Sequence, residues 1–86
     1  MDNTVRLEGR VSGSLTRRSG RDGVLTDFVL RHERSDFQVI AECYVEKSVA
    51  DGIIVTVCGR LIEDDGDVYI SAQSVEPDCQ IEMVFQ

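Results

Sequence analysis

Residues 53–62 read IIVTVCGRLI, and this stretch decides the fold. Its β-branched and other apolar residues fall on both faces of an extended chain, which is typical of a strand covered on two sides. Because side chains alternate along a strand, Val55, Val57, Gly59 and Leu61 are predicted to share one face. A glycine inside a strand marks a bend or the close approach of another backbone. The stretch therefore predicts a buried and sharply bent strand.

The residues that follow predict a hairpin. Residues 63–67 read EDDGD, and the Asp-Gly pair at 65–66 is the dipeptide that two-residue hairpin turns prefer. Residues 68–75, VYISAQSV, then form a strand, which Pro77 ends. Residues 80–86, QIEMVFQ, are compatible with a short sixth strand at the carboxy terminus.

Three segments upstream of the opening stretch alternate with a period of two. In VRLEGRV, residues 5–11, apolar positions and Gly9 alternate with charged residues. LTDFVLRHE, residues 25–33, and FQVIAECYV, residues 37–45, show the same pattern with a turn between them. The segment 46–52 is long enough for one helical turn at most. The sequence thus predicts five strands and almost no helix.

Five short strands predict a single domain that spans residues 1–86. A flat sheet of this size would leave one face without cover, whereas a sheet curled onto itself encloses its own core. Gly9 and Gly59 lie in mid-strand, where such curling needs sharp bends. The fold class that we expect is all-β: a five-stranded closed barrel of the oligonucleotide/oligosaccharide-binding type, the OB-fold.

The composition indicates the compartment in which the protein is expected and whether a cofactor is expected. Of its 86 residues 42% are hydrophobic, which is sufficient for a compact core. No apolar run approaches the ~20 residues that span a bilayer, and the amino terminus lacks a signal-peptide layout, so we expect a cytoplasmic protein without membrane contact. Three cysteines without paired spacing favour a reducing compartment. His32 has no ligand spacing to them and follows the core parity of its strand, so no metal or other cofactor is expected.

Charge is distributed unevenly along the chain. The formal net charge is −7, yet residues 1–34 hold seven Lys and Arg against five acids, and residues 35–86 hold two against eleven. Residues 15–23, LTRRSGRDG, gather three arginines among glycines and serine, in a stretch predicted to be flexible rather than a regular strand. Such a stretch is either a solvated hairpin tip or a finger that reaches for an anion.

The motifs, taken in order, resemble the bacterial single-stranded-DNA-binding protein family, and within it most closely primosomal replication protein N. They are L-x-G-x-V in the first strand, F-V-L-x-H in the second, G-x-x-V-x-V-x-G-x-L in the fourth and A-x-x-V-E in the fifth, within residues 4–76. The resemblance implies that strands 1–3 face single-stranded DNA, with RNA as an open alternative, while the loops between strands 1 and 2 and strands 4 and 5 close over it. It also implies partners among replication or restart proteins, and a homodimer that would cover the apolar outer positions Ile54, Cys58 and Ile62.

The candidate binding residues follow from the chemistry of single strands. Cations hold the phosphate backbone, and aromatic faces stack under the bases. By strand parity Tyr44 is the best stacking candidate, and it shares its face with Arg31. The predicted nucleic-acid-binding residues are Arg6, Arg10, Arg17, Arg18, Arg21, Arg31 and Tyr44. The simpler interpretation is that these arginines pair with nearby acids, such as Glu8 and Glu42, on a solvated surface.

Two features depart from the family pattern. The chain has no Trp, and Glu42 lies about where a stacking aromatic residue is expected. The hairpin at 63–67 is acidic, whereas that of primosomal replication protein N is basic. An acidic hairpin repels phosphates and suits DNA mimicry or docking on a basic protein. It is not an EF-hand loop, because Leu61 and Ala72 stand where that loop requires acids.

Two functions remain open. The sequence has no nucleophile elbow and no glycine loop that cradles phosphate, so we do not expect an enzyme. The first hypothesis is a barrel that binds single-stranded DNA, without strong sequence preference, in replication, restart or recombination. The second is an OB-fold accessory subunit that contacts proteins and binds nucleic acid weakly or not at all. The basic amino-terminal half favours the first, and the acidic hairpin favours the second.

Overall fold

The computed structural model describes residues 3–21 and 23–78, and across these ranges the chain forms five strands and no helix. Neighbouring strands are antiparallel except β3 and β5, which run parallel. They close into one barrel in the order β1–β2–β3–β5–β4, which confirms the predicted all-β, five-stranded closed barrel. The strands are β1 (Thr4–Gly20), β2 (Gly23–His32), β3 (Ser35–Ala41), β4 (Ile54–Asp64) and β5 (Asp67–Pro77).

The long first strand closes the barrel because it pairs with two neighbours in turn. Its first part, from Thr4 to Arg10, pairs with β4, and the part from Arg10 to Gly20 pairs with β2. The second ladder shifts register between Ser12 and Thr16. Beyond this irregularity the β1–β2 hairpin continues as a two-stranded ribbon, which is where the arginine-rich stretch lies.

Gly9 and Gly59 lie where neighbouring strands approach each other closely. A Cβ atom at Gly9 would stand 2.5 Å from the carbonyl oxygen of Arg31, and one at Gly59 would overlap the carbonyl oxygen of Ser71. Neither glycine has a positive φ, so what each supplies is space rather than an unusual backbone conformation. The two glycines predicted to lie at mid-strand bends are therefore sites of tight strand packing.

The core consists of side chains that alternate inward along the strands. In β2 the predicted parity holds, since Phe28 and Leu30 are buried. In β4 parity holds as far as Gly59, but Leu61, predicted to share the face of Val55, is 39% exposed. The ladder between β4 and β1 ends at Arg60, so Leu61 already lies on the hairpin that projects from the barrel. The largest fully buried side chains are Leu30, Ile70, Val11, Val39, Val55 and Val57.

The segment between β3 and β4, residues 42–53, consists of turns and irregular backbone. Val45 and Val49 from this segment are buried in the core cluster. The Gly52 amide donates to the Val11 carbonyl at 2.8 Å, which ties the segment to β1. A short irregular connection thus places apolar side chains in the core without any need for a helix.

Two expectations need correction, and a third falls outside the described residues. Residues 15–20, predicted to be flexible, belong to β1, because ladder hydrogen bonds to β2 continue as far as the rung between Gly20 and Gly23. β3 ends at Ala41 rather than at residue 45, so Tyr44 lies beyond the strand. Residues 80–86 are not among the described residues, and the sixth strand stays a prediction.

Candidate nucleic-acid interface

The β1–β2 hairpin extends past the irregularity in β1, and we call this extension, residues 15–27, the finger. Its rungs run from the Thr16–Asp27 pair to the Gly20–Gly23 pair. Consecutive residues of a strand point to opposite faces, so Arg17 and Arg18 lie on opposite faces of the finger. The finger therefore presents a cation on each side.

Arg18 is engaged by an acid of the finger itself. Its Nη2 lies 3.4 Å from Asp27 Oδ2, while the arginine side chain remains 54% exposed. The other carboxylate oxygen of Asp27, Oδ1, is buried and has no hydrogen-bond partner within residues 3–21 and 23–78. The Asp27 carboxylate partly neutralises Arg18, which makes Arg18 a weaker partner for an external phosphate than Arg17 is.

Arg17, Tyr44 and Val45 line two overlapping surface depressions, which together we call the groove. Lys47 lines one of the two. Tyr44 is 78% exposed, so its ring is open to solvent. Two cationic side chains and an exposed aromatic ring therefore border one groove, which is the combination that a single strand requires.

A second depression adjoins the groove. Arg21 and Glu42 line it, together with Val24. Val24 and Glu42 line the groove as well, so the two depressions share a wall. Arg21 is exposed. The structure thus brings together three of the predicted residues: Arg17, Arg21 and Tyr44.

Arg10 and Arg31 form a separate pair near the β2–β3 turn, where they are partners across β1 and β2. Arg10 Nη1 donates to the carbonyl oxygen of Gly52 at 2.8 Å. Arg31 Nε lies 3.7 Å from Asp36 Oδ1, and both side chains are half-exposed. An exposed ion pair is weak, about 0–1 kcal/mol, so the contact with Asp36 holds Arg31 only loosely.

The predicted residues do not form one continuous surface. Tyr44 lies beyond the Thr26–Ala41 rung, whereas Arg31 is paired with Asp36 at the opposite end of β3. The residue steps from Asp36 to Ala41 span about 17 Å along a strand. Arg6 is on the β1–β4 ladder, still further from the finger. Strand parity does not align Arg31 with Tyr44, because β3 ends at Ala41 and Tyr44 lies beyond it.

Two residues of the groove, Lys47 and Glu42, were not predicted to be binding residues. Lys47 is outside the strands, where parity gives no information, although its position three residues after Tyr44 was a usable signal. The sequence pointed to Glu42 as a replacement for an aromatic residue and as an ion-pair partner for an arginine, but not as a binding residue. The structure places Glu42 between the groove and the adjoining depression.

His32 and Cys43 are potentially reactive side chains, but their contacts are those of structural residues. The His32 Nδ1 atom donates to the Glu8 carbonyl oxygen at 2.8 Å, which links β2 to β1. Partial burial raises the pKa of the Cys43 thiol above its ordinary value, the Glu42 carboxylate acts in the same direction, and backbone hydrogen bonds oppose part of the effect. A thiol with a raised pKa is a poor nucleophile at neutral pH.

The β4–β5 turn forms a second projection, residues 63–67, which we call the acidic hairpin. Asp65 and Gly66 have φ values of 53° and 85°, as a type I′ turn requires. All of its acids are exposed. Within residues 3–21 and 23–78, no group of three or more His, Cys, Asp or Glu side chains is arranged to hold a metal ion. The same ranges contain no helix with the length and hydropathy needed to cross a membrane.

Comparison with known proteins establishes the fold. No protein-family model matches the chain, and no curated protein matches it. The structure of the second single-stranded DNA-binding protein from Mycobacterium smegmatis matches it with a TM-score of 0.76 and 22% identity, over 100% of both chains. The small single-stranded DNA-binding protein from Streptomyces coelicolor matches with a TM-score of 0.71 and 21% identity, over 96% of this chain and 98% of that one. Across residues 3–21 and 23–78 the chain therefore has the OB-fold of these proteins.

Proposed function

We propose that this protein binds single-stranded DNA in the groove between the finger and Tyr44, without strong sequence preference. The observation that carries the proposal is the grouping of Arg17, Lys47 and the open ring of Tyr44 around one groove, with Arg21 in the adjoining depression. Phosphates contact the cations, and one base stacks on the tyrosine. Contacts to phosphate carry no sequence information, so the binding tolerates many sequences.

The fold supports the proposal independently of the groove. Both matched structures belong to proteins named for single-stranded DNA binding, and each match covers nearly the whole of both chains. OB-folds that bind single strands combine a cationic groove with aromatic stacking residues. The groove meets that description even though the chain contains no Trp.

The cellular setting is part of the same proposal. We place the protein in the cytoplasm, acting on single strands exposed during replication, restart or recombination. The resemblance of its motifs to those of primosomal replication protein N supports this proposal. A homodimer through the outer face of β4 is proposed because Ile54, Cys58 and Ile62 are only half-buried within one chain. Sedimentation of the protein measures this association.

Titration of fluorescein-labelled oligo-dT at low and moderate salt tests the proposed groove. The double variant Arg17→Ala/Arg21→Ala is expected to lose about tenfold or more in affinity at low salt. Its plot of log K against log salt should flatten by about 1.4, since each phosphate contact to a single strand contributes about 0.7. The matched control, Arg34→Ala/Arg60→Ala, removes two exposed cations outside the groove and should change both quantities less.

Absence of binding at low salt would favour the second function, a protein-contacting OB-fold subunit. The specific observation behind that alternative is the acidic hairpin, whose exposed carboxylates suit a basic protein surface. Binding that is weakened equally by the groove variant and its control would instead move the site away from the finger.

A further inference from the structure

Glu42 occupies an unusual place for an acid in a groove proposed to hold a polyanion. It follows directly after β3, and its amide donates to the Ala72 carbonyl at 3.2 Å, which fixes the backbone there. Glu42 lines both the groove and the adjoining depression, and it is exposed. Among residues 3–21 and 23–78, no side chain or amide lies within hydrogen-bond or ion-pair distance of its carboxylate.

A carboxylate in this position is a selective partner for base edges. It accepts hydrogen bonds and donates none. Cytosine offers an exocyclic amine, and Asp or Glu accepting from that amine is an established mode of base recognition. Thymine and uracil offer carbonyl oxygens at the corresponding position, which a carboxylate repels. Tyr44 lies two residues further along the chain on the same groove, so a base stacked there has its edge within the neighbourhood of Glu42.

We propose that Glu42 biases the nucleotide held at Tyr44 towards a base with an exocyclic amine, cytosine foremost. This inference rests on the proposed function, and it deepens it by assigning a base preference to one position of an otherwise tolerant strand. Arg17 and Arg21, on either side of Glu42, offset the repulsion between its carboxylate and the phosphates.

The preference is measured by titrating labelled oligo-dC and oligo-dT at neutral pH and the same salt concentration. The unmodified protein should bind oligo-dC about fivefold or more tightly than oligo-dT, which corresponds to the lower end of one good base contact. Glu42→Gln keeps the shape of the side chain, removes its charge and adds a donor. This variant should bind the two oligonucleotides equally, chiefly because its affinity for oligo-dT rises.

Glu76→Gln is the matched control, since it removes an exposed carboxylate from β5 outside the groove. It should leave the ratio of the two affinities unchanged. Equal binding of both oligonucleotides by the unmodified protein, or a cytosine preference that survives Glu42→Gln, overturns this inference while the proposed function stands. Failure to bind either oligonucleotide at low salt overturns the proposed function and this inference with it.

Discussion

The finger and the acidic hairpin are two projections of similar construction and opposite charge. Each is a two-stranded antiparallel ribbon that continues beyond the barrel. The finger carries Arg17, Arg18 and Arg21. The acidic hairpin, residues 63–67, carries four acids and no cation. The two ribbons have the same backbone architecture and differ in the charge of their side chains. This difference determines which ligands each ribbon can bind.

This difference assigns different roles to the two ribbons within one barrel. Phosphates are attracted to the finger and repelled by the acidic hairpin. If both ribbons flanked a bound strand in the same way, the repulsion would cancel much of the attraction. The proposed binding path therefore follows the finger, Tyr44 and Lys47, and avoids the acidic hairpin.

Gly9 in β1 and Gly59 in β4 each lie against the backbone of a neighbouring strand, on the strand that leads into a ribbon. Substitution of Gly59 should have the largest effect on the stability of the protein. Gly59→Ala would push a methyl group into the Ser71 carbonyl, a contact with backbone that has little freedom to move. We expect a loss of about 3 kcal/mol in the free energy of unfolding, at the upper end of overpacking effects. Urea denaturation followed by circular dichroism measures it.

Gly13→Ala is the control for this substitution. Gly13 has a φ of 88°, but no atom lies within 4 Å of the position that the alanine methyl group would take, so alanine there meets strain without collision. Its cost should be about 1–2 kcal/mol. An equal or smaller loss at Gly59 would show that β4 and β5 can separate locally, and that the ribbon beyond them is held less firmly than the geometry indicates.

Substitution of Tyr44 tests the contribution of base stacking to binding separately from that of the cations. Tyr44→Ala removes the ring and is expected to weaken oligo-dT binding by about tenfold, within the 1–3 kcal/mol that a stacked base contributes. The salt dependence should stay as it is, because no charge is removed. Tyr44→Phe keeps the ring and should bind nearly as the unmodified protein does. A weaker salt dependence in Tyr44→Ala would contradict the proposal that the ring stacks on a base while the cations contact the phosphates.

Neutralising the acidic hairpin should have a smaller effect in the opposite direction. Glu63→Gln/Asp64→Asn/Asp67→Asn leaves the turn residues Asp65 and Gly66 in place, so the hairpin geometry is kept. Affinity for oligo-dT is expected to rise about two- to fivefold at low salt, and the gain should shrink as salt screens the charges. Fluorescence titration at several salt concentrations measures both. A loss of affinity would mean that the hairpin contacts the strand through hydrogen bonds.

Much of the fold was predictable because it depends on local patterns. Alternation located β1, β2 and β3, and β-branched residues on both faces located β4. The Asp-Gly pair located the β4–β5 turn at residues 65–66, and β5 follows it. Gly9 and Gly59 indicated the tight strand packing of a closed barrel. The same reasoning failed for residues 15–20, because composition suggested a loop while pairing with β2 makes a strand.

The candidate site was less predictable because it depends on where strands end. Parity along β3 placed Tyr44 on the outer face with Arg31, but β3 stops at Ala41 and the chain then follows an irregular course. Lys47 reaches the groove through that irregular segment, which no periodicity describes. Arg18 faces away from Arg17 and meets Asp27, a pairing that needs the register of the finger.

Cys43 and Cys58 provide a finer probe, since Cys43 lines the groove and Cys58 lies on β4, the strand that leads to the acidic hairpin. The raised pKa of the Cys43 thiol lowers the fraction of reactive thiolate at a given pH. Iodoacetamide should therefore modify Cys43 several-fold more slowly in the folded protein than after unfolding, and the rate should rise with pH up to the raised pKa. Peptide mass spectrometry separates the two sites.

Oligonucleotide binding should enlarge the contrast between these two thiols. A strand in the groove covers Cys43, so saturating oligo-dT is expected to slow its alkylation by about a further two-fold or more, through loss of solvent access. The alkylation of Cys58, which lies outside the groove, should not change. The Arg17→Ala/Arg21→Ala variant serves as the control, because at an oligo-dT concentration just sufficient to saturate the unmodified protein it binds less strand and should show less protection of Cys43. Protection of Cys58 instead would place the strand on the outer face of β4, and it would reverse the roles assigned to the finger and the acidic hairpin.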